Sequence, residues 1–261
     1  MVELQLIGGG KMGEALLGGI LASQWCVPEG VRVVELDASR RAALTDRYGV
    51  LVDDQPGAAA GTILAVKPGD IAAVAAAVTV AGGGRLLSIA AGVSVDAIED
   101  ATGHQVAVVR AMPNTPALVG VGAAAICAGS TASEADLEWA ATLLGSVGTV
   151  IRVPESAIDA VTGVSGSGPA YVFLVAEALA DAGVLVGLPR DQAVALANQT
   201  LLGAATMLVE TGSSAAELRA GVTSPGGTTA AALQVLEQRG LRAAFVDAVV
   251  AARDRSREMG S

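Results

Sequence analysis

Gly8, Gly10 and Gly13 stand at Gly-x-Gly-x-x-Gly spacing in the run Gly8-Gly9-Gly10-Lys11-Met12-Gly13. At that spacing the first glycine permits a tight turn. The second leaves backbone that a bulky anion can approach, and the third lets a following helix lie close on a sheet. Free N–H groups at the start of that helix, with its dipole, suit a pyrophosphate. Glu35 and Asp37 follow roughly 20 residues on, where a carboxylate can accept hydrogen bonds from an adenosine ribose, as for NAD. Ser39, Arg40 and Arg41 come next, and an arginine there can pair with the 2′-phosphate of NADP; a helix cap with a solvated basic turn is the plainer alternative. Lys67, in Ala65-Val66-Lys67-Pro68, can contact phosphate or ribose, or simply orient its turn. The small residues of Ser88-Ile89-Ala90-Ala91-Gly92 leave room for a nicotinamide ring.

Three further stretches carry polar groups that are uncharged apart from Arg110. Val222-Thr223-Ser224-Pro225-Gly226-Gly227-Thr228-Thr229 precedes a helical pattern, so the N–H groups of Gly226, Gly227 and Thr228 can bind a carboxylate; a turn with a helix cap explains the same residues. Arg110-Ala111-Met112-Pro113-Asn114-Thr115-Pro116 is a site wall or a rigid crossover. Gly163-Val164-Ser165-Gly166-Ser167-Gly168-Pro169-Ala170-Tyr171 is a site wall or a helix irregularity that permits close packing.

The elements that must hold these groups alternate through the first half. Strands are expected at 2–7, 31–36, 62–66, 85–89, 105–109, 122–127 and 149–153, and helices at 11–24, 39–48, 70–80, 94–101 and 133–144. Ser39, Asp70 and Ser94 are placed to cap helices. Such alternation packs as a mostly parallel sheet with helices on both faces. After Pro154 no strand is expected, and helices are read at 155–182, 189–210, 213–220, 228–239 and 241–257, with Pro189 at a first helical position and Gly212 and Gly240 at helix ends. The reading is thus α/β for 1–153, a Rossmann-like domain, and all-helical for 154–261. The helical half is so apolar that a second copy is expected to cover it.

Composition excludes several classes. A net charge of −10 opposes phosphate-backbone binding, so no nucleic-acid partner is expected. Cys26 and Cys127 read as separate buried thiols, and one histidine, His104, offers no metal ligand set. The Ala/Val stretches 58–66 and 71–81 are too short for a bilayer, and the chain opens as a strand rather than a leader; no membrane association and a cytoplasmic location are the expectations.

The glycine turn, AVKP, SIAAG, RAMPNTP, GVSGSGPAY and VTSPGGTT together resemble pyrroline-5-carboxylate reductase over nearly the whole chain. The resemblance implies an N-terminal Rossmann domain and a helical C-terminal domain interlocked with a partner's, in a dimer or a ring of dimers. It implies reduction of 1-pyrroline-5-carboxylate to L-proline, the last step of proline synthesis, by NADPH, with NADH the alternative. Carried over, Gly8, Gly10, Lys11, Met12, Gly13, Asp37, Ser39, Arg40, Ala65, Val66, Lys67, Pro68 and Ala90 hold the cofactor. Ser224, Gly226, Gly227, Thr228 and Thr229 bind the substrate, walled by Met112, Asn114, Ser167 and Gly168. Thr229 lies near the ring nitrogen as the catalytic group. Lys11 replaces a frequent Asn, and Asp37 stands where many members carry Ser or Asn. A protonated imine is already electrophilic, so placement by a hydroxyl such as Thr229 meets the chemistry without a strong acid. A hydroxyacid dehydrogenase would use a lysine from the helical half, and none follows Lys67. A non-catalytic nucleotide-binding regulator is the alternative from another class.

Overall fold

Leu4 and Leu6 point into one apolar cluster and Ile7 into another, and the same two-residue alternation divides Val33 from Val34, Ile63 from Leu64, and Leu87 from Leu86. Strands buried on both faces in this way belong to the middle of a sheet covered by helices. The computed structural model describes residues 2–259, so residue 1 of the expected 1–153 domain and residues 260–261 of the expected 154–261 domain lie outside the described residues.

Eight strands form the sheet: β1 (Leu4–Ile7), β2 (Val31–Val34), β3 (Leu51–Asp53), β4 (Gly61–Leu64), β5 (Arg85–Ser88), β6 (Val108–Met112), β7 (Gly122–Ala128) and β8 (Gly148–Arg152). Their order is β3-β2-β1-β4-β5-β6-β7-β8. Pairing is parallel except between β6 and β7, which run antiparallel, so the last two strands are reversed. The helices α1 (Lys11–Ala22) and α5 (Glu134–Gly145) cover one face, packing Leu16, Leu17, Ile20, Leu143 and Leu144 on it. The opposite face is covered by α3 (Ile71–Val80) and α4 (Val95–Thr102) through Ile71, Ala75, Val78 and Ile98.

Several local expectations change. The helix α2 (Ala38–Tyr48) is capped by Asp37, whose carboxylate accepts from the Ser39 and Arg40 N–H groups, and not by Ser39. Asp70 makes no side-chain cap, whereas Ser94 does, to the Ala97 N–H. The short edge strand β3 was not expected. The strand read at 105–109 lies instead at β6, so Arg110, Ala111 and Met112 belong to the sheet rather than to the loop after it.

The chain divides into two compact units, one running to Ser167 and resuming at Val250, the other Gly168–Val249. The first takes in residues past the expected division at 153/154 because Ile158 of α6 (Ile158–Val161) is buried in the sheet's second cluster. The helix expected at 155–182 is interrupted by a π-helical turn at Thr162–Gly166 before α7 (Gly168–Leu185). The second unit continues with α8 (Arg190–Glu210), capped by Pro189 rather than containing it, then α9 (Ala215–Gly221), α10 (Thr228–Gln238) and α11 (Leu241–Met259), which runs back into the first unit. Gly212 and Gly240 both take positive φ at helix ends, as expected. Among the described residues, segments 155–185 and 190–210, not the earlier Ala/Val stretches, are the ones long and apolar enough to cross a membrane by length and composition. Val172, Phe173 and Leu174 of α7 are exposed.

Candidate active site

Strand order reverses between β1 and β4, and a cleft of about 720 Å³ opens there, beyond the C-terminal ends of the strands. Gly8, Gly10, Glu35, Leu36, Ala65, Val66 and Lys67 line it. Gly8 has φ +103°, and a Cβ on it would lie 2.6 Å from the Ala65 carbonyl oxygen. A Cβ on Gly13 would overlap the Gly8 carbonyl oxygen, whereas one on Gly10 would meet nothing within 4 Å. The turn therefore uses two glycines to close on itself and one to leave backbone bare. Gly10 caps α1 without a side chain, and the first bond of the helix is Glu14 N–H to the Gly10 carbonyl at 2.8 Å. The N–H groups of Lys11, Met12 and Gly13 are left to an external anion. This donor set fits the pyrophosphate of a dinucleotide.

Both ends of Gly9 are held by side chains. Its N–H donates to Glu35 Oε2 at 2.9 Å, and its carbonyl accepts from Arg40 Nε at 2.8 Å. Arg40 also pairs with Glu14, which accepts from Arg47 Nη1 and the Tyr48 hydroxyl. The Arg40 hydrogen bond, outweighing desolvation, keeps the Glu14 carboxyl below the usual range. Asp37 Oδ1 accepts from the Ser39 hydroxyl at 2.6 Å and from the Ser39 and Arg40 N–H groups, and these bonds depress its pKa. Ser39 and Arg40 are thus engaged within the turn. The structure exposes Lys11 at the start of α1, packs Met12 against the first apolar cluster rather than in the cleft lining, sets Pro68 directly after the cleft-lining Lys67, and buries Ala90 just after β5.

Asn114 is buried and spends both ends of its amide on backbone. Its Nδ2 donates to the Ser165 carbonyl at 3.0 Å, and its Oδ1 accepts from the Ala123 N–H at 2.8 Å. It fastens the π-turn to the sheet, and Met112 Cε lies against Gly166 of that turn. Ser167 closes the turn through its N–H to the Thr162 carbonyl at 2.8 Å. In the second unit, Gly168 opens α7, and the Ser224–Gly227 turn closes through Gly227 N–H to the Ser224 carbonyl at 3.0 Å. Gly226 has φ +68°, and Gly227 caps α10 with no side-chain acceptor. The first helical bond is Ala231 N–H to Gly227, so the Thr228, Thr229 and Ala230 N–H groups have no acceptor within the helix. An uncapped helix start of this kind suits a carboxylate, with the Thr229 hydroxyl beside it in sequence.

The Arg110–Glu155 pair was not expected. Arg110 is buried, and its Nη1 donates to Glu155 Oε1 at 2.8 Å, an oxygen that also accepts from the Val95 N–H. Only its place in the RAMPNTP run had marked Arg110; nothing in sequence linked it to Glu155. Cys26 and Cys127 are free and buried, and desolvation raises each thiol to about 11, which leaves no thiolate nucleophile near neutrality.

A family profile described as "Pyrroline-5-carboxylate reductase dimerisation" matches residues 155–259, and one described as "NADP oxidoreductase coenzyme F420-dependent" matches residues 3–92. A pyrroline-5-carboxylate reductase of Corynebacterium melassecola is 45% identical over 273 residues, covering 100% of this chain and 99% of that one. The chain belongs to the pyrroline-5-carboxylate reductase family. The solved reductase of Coxiella burnetii matches with a TM-score of 0.94 at 36% identity, over 100% of this chain and 99% of that one. The Plasmodium falciparum pyrroline carboxylate reductase, solved with NADP bound, matches with a TM-score of 0.87 at 29% identity, over 100% and 98%. Family membership gives the exposed apolar helices of the second unit their role, which is homodimerisation through the C-terminal helices.

Proposed function

We propose that this chain reduces 1-pyrroline-5-carboxylate to L-proline, the last step of proline biosynthesis, with NADPH or NADH held at the glycine turn. When bound, the cofactor supplies a hydride for the C=N carbon. The observation that carries the reading is the pair of uncapped helix starts, at Gly10 and at Gly227, within a chain that matches the reductase family end to end. The first offers N–H donors to a pyrophosphate and the second offers them to the substrate carboxylate.

The chain's own residues then act by placement. Gly8 and Gly13 fix the turn, while Lys11 and Lys67 add positive charge. Thr228 and Thr229 orient the pyrroline carboxylate, and the Thr229 hydroxyl positions the ring nitrogen, directly or through water. Asn114 acts at one remove by holding the π-turn that carries Ser165. A cytoplasmic location and assembly of dimers into a ring complete the proposal; the family resemblance supports the second.

Following NADPH and NADH oxidation with 1-pyrroline-5-carboxylate tests the reaction directly. Thr229→Ala is expected to lower turnover by ~100-fold, the lower end of the range for a positioned proton-handling group, with cofactor affinity little changed. Unchanged turnover removes Thr229 from the mechanism, and no oxidation by the unaltered chain refutes the activity.

A further inference from the structure

We infer that the adenosine end of the cleft selects an unphosphorylated ribose, so that this chain binds NADH more tightly than NADPH. The inference rests on the reductase reading for the cofactor's place in the cleft. Glu35, Asp54 and Asp70 line that cleft against a single lining cation, Lys67. Asp37 adds a further carboxylate just past Leu36, and it is exposed. Its Oδ1 serves α2, while Oδ2 is free of hydrogen-bond partners among the described residues and can accept from a ribose hydroxyl.

The arginines nearest a 2′-phosphate already hold other partners, Arg40 through Nε and Nη2 and Arg41 through Nη1. Arg40 spans Gly9 and Glu14, so turning it toward a phosphate would free the Gly9 carbonyl and take a counter-charge from Glu14. Arg41 donates through Nη1 to the Glu35 and Leu36 carbonyls at 2.6 and 2.9 Å. A dianionic 2′-phosphate would enter a corner richer in carboxylates than in free cations, whereas a hydroxyl would find an acceptor. This reverses the order expected from sequence, in which NADPH came first and an arginine of the Ser39-Arg40-Arg41 run was read as able to pair with a 2′-phosphate.

Isothermal titration of the full chain with NADH and with NADPH, without substrate, reads the preference apart from turnover. The unaltered protein is expected to bind NADH roughly tenfold more tightly. Asp37→Ser keeps a capping residue on α2 and is expected to shrink or invert that ratio at unchanged melting temperature. Tighter NADPH binding by the unaltered chain overturns the inference, as does an Asp37→Ser variant in which both affinities shift equally. If a normally folded chain binds neither dinucleotide, the cofactor reading of the glycine turn fails and the inference falls with it.

Discussion

The carbonyl oxygen of Gly8 occupies the space that a Cβ on Gly13 would need, so the two outer glycines of the turn are locked together by contact. Gly10, between them, faces open space at φ −69° and ψ −176°, a conformation open to any L-residue. The three glycines of one motif therefore do two different jobs.

Substitution separates those jobs. Gly13→Ala is expected to cost at least about 1–3 kcal/mol, the usual penalty for overpacking, because backbone must move. Gly10→Val is expected to leave the denaturant midpoint nearly unchanged and to weaken dinucleotide binding by at least about 100-fold, roughly 2.7 kcal/mol. Chemical denaturation and calorimetric titration on each variant measure the two effects. Similar losses of stability in both would assign Gly10 to the fold instead.

Glu99 gives a pH dependence. Burial pushes its carboxyl up, but hydrogen bonds from the Ser130 hydroxyl and the Thr131 N–H and hydroxyl, with His104 nearby, outweigh that and leave it below 4.5. A carboxyl depressed in the folded state adds stability that is complete above its unfolded pKa and is lost as pH falls through the folded value. The unaltered chain should therefore lose stability more steeply below about pH 4.5 than Glu99→Gln, which should be the less stable of the two at pH 7. Urea unfolding of both proteins across the acid range checks the slope; parallel curves would exclude Glu99 as its source.

Phe173 is 63% exposed in the single chain, on a helix whose neighbouring Val172 and Leu174 are exposed as well. With the C-terminal helices as the dimer interface, Phe173→Glu buries a charge against a partner and should shift the protein toward monomer at micromolar concentration. Sedimentation velocity measures the mass. A variant that remains fully dimeric would move the contact to another part of the helical unit.

How much of this was legible in sequence depended on distance along the chain. The glycine turn was readable because its three positions act within six residues. The two-face burial of Leu4, Leu6 and Ile7 followed from a run of apolar residues. The capping of α2 was misplaced by two residues because Asp37 and Ser39 are both competent caps, and only the fold decides whether the carboxylate or the hydroxyl faces the N–H groups. Asn114 stood in a motif that resembled a site wall, yet its bonds run to Ser165 and Ala123. The Arg110–Glu155 pair joins residues far apart in sequence with no periodicity to connect them. The strand β3 was too short and too exposed to show alternation. The reversed direction of β7 leaves no mark in composition at all.

The chain leaves the sheet unit at Ser167 and re-enters it at Val250 inside the unbroken helix α11, where the Ser256 hydroxyl donates to Asp159 Oδ1 at 2.8 Å. In chain order the helical unit interrupts the sheet unit, whose residues lie on either side of it. A reading frame stopped after Ser167 would keep every residue of the glycine turn yet discard the sheet unit's own final segment, leaving Asp159 without its hydroxyl donor. The residues from Val250 to Met259 therefore serve the dinucleotide fold, although the whole helical unit lies between them and the rest of it.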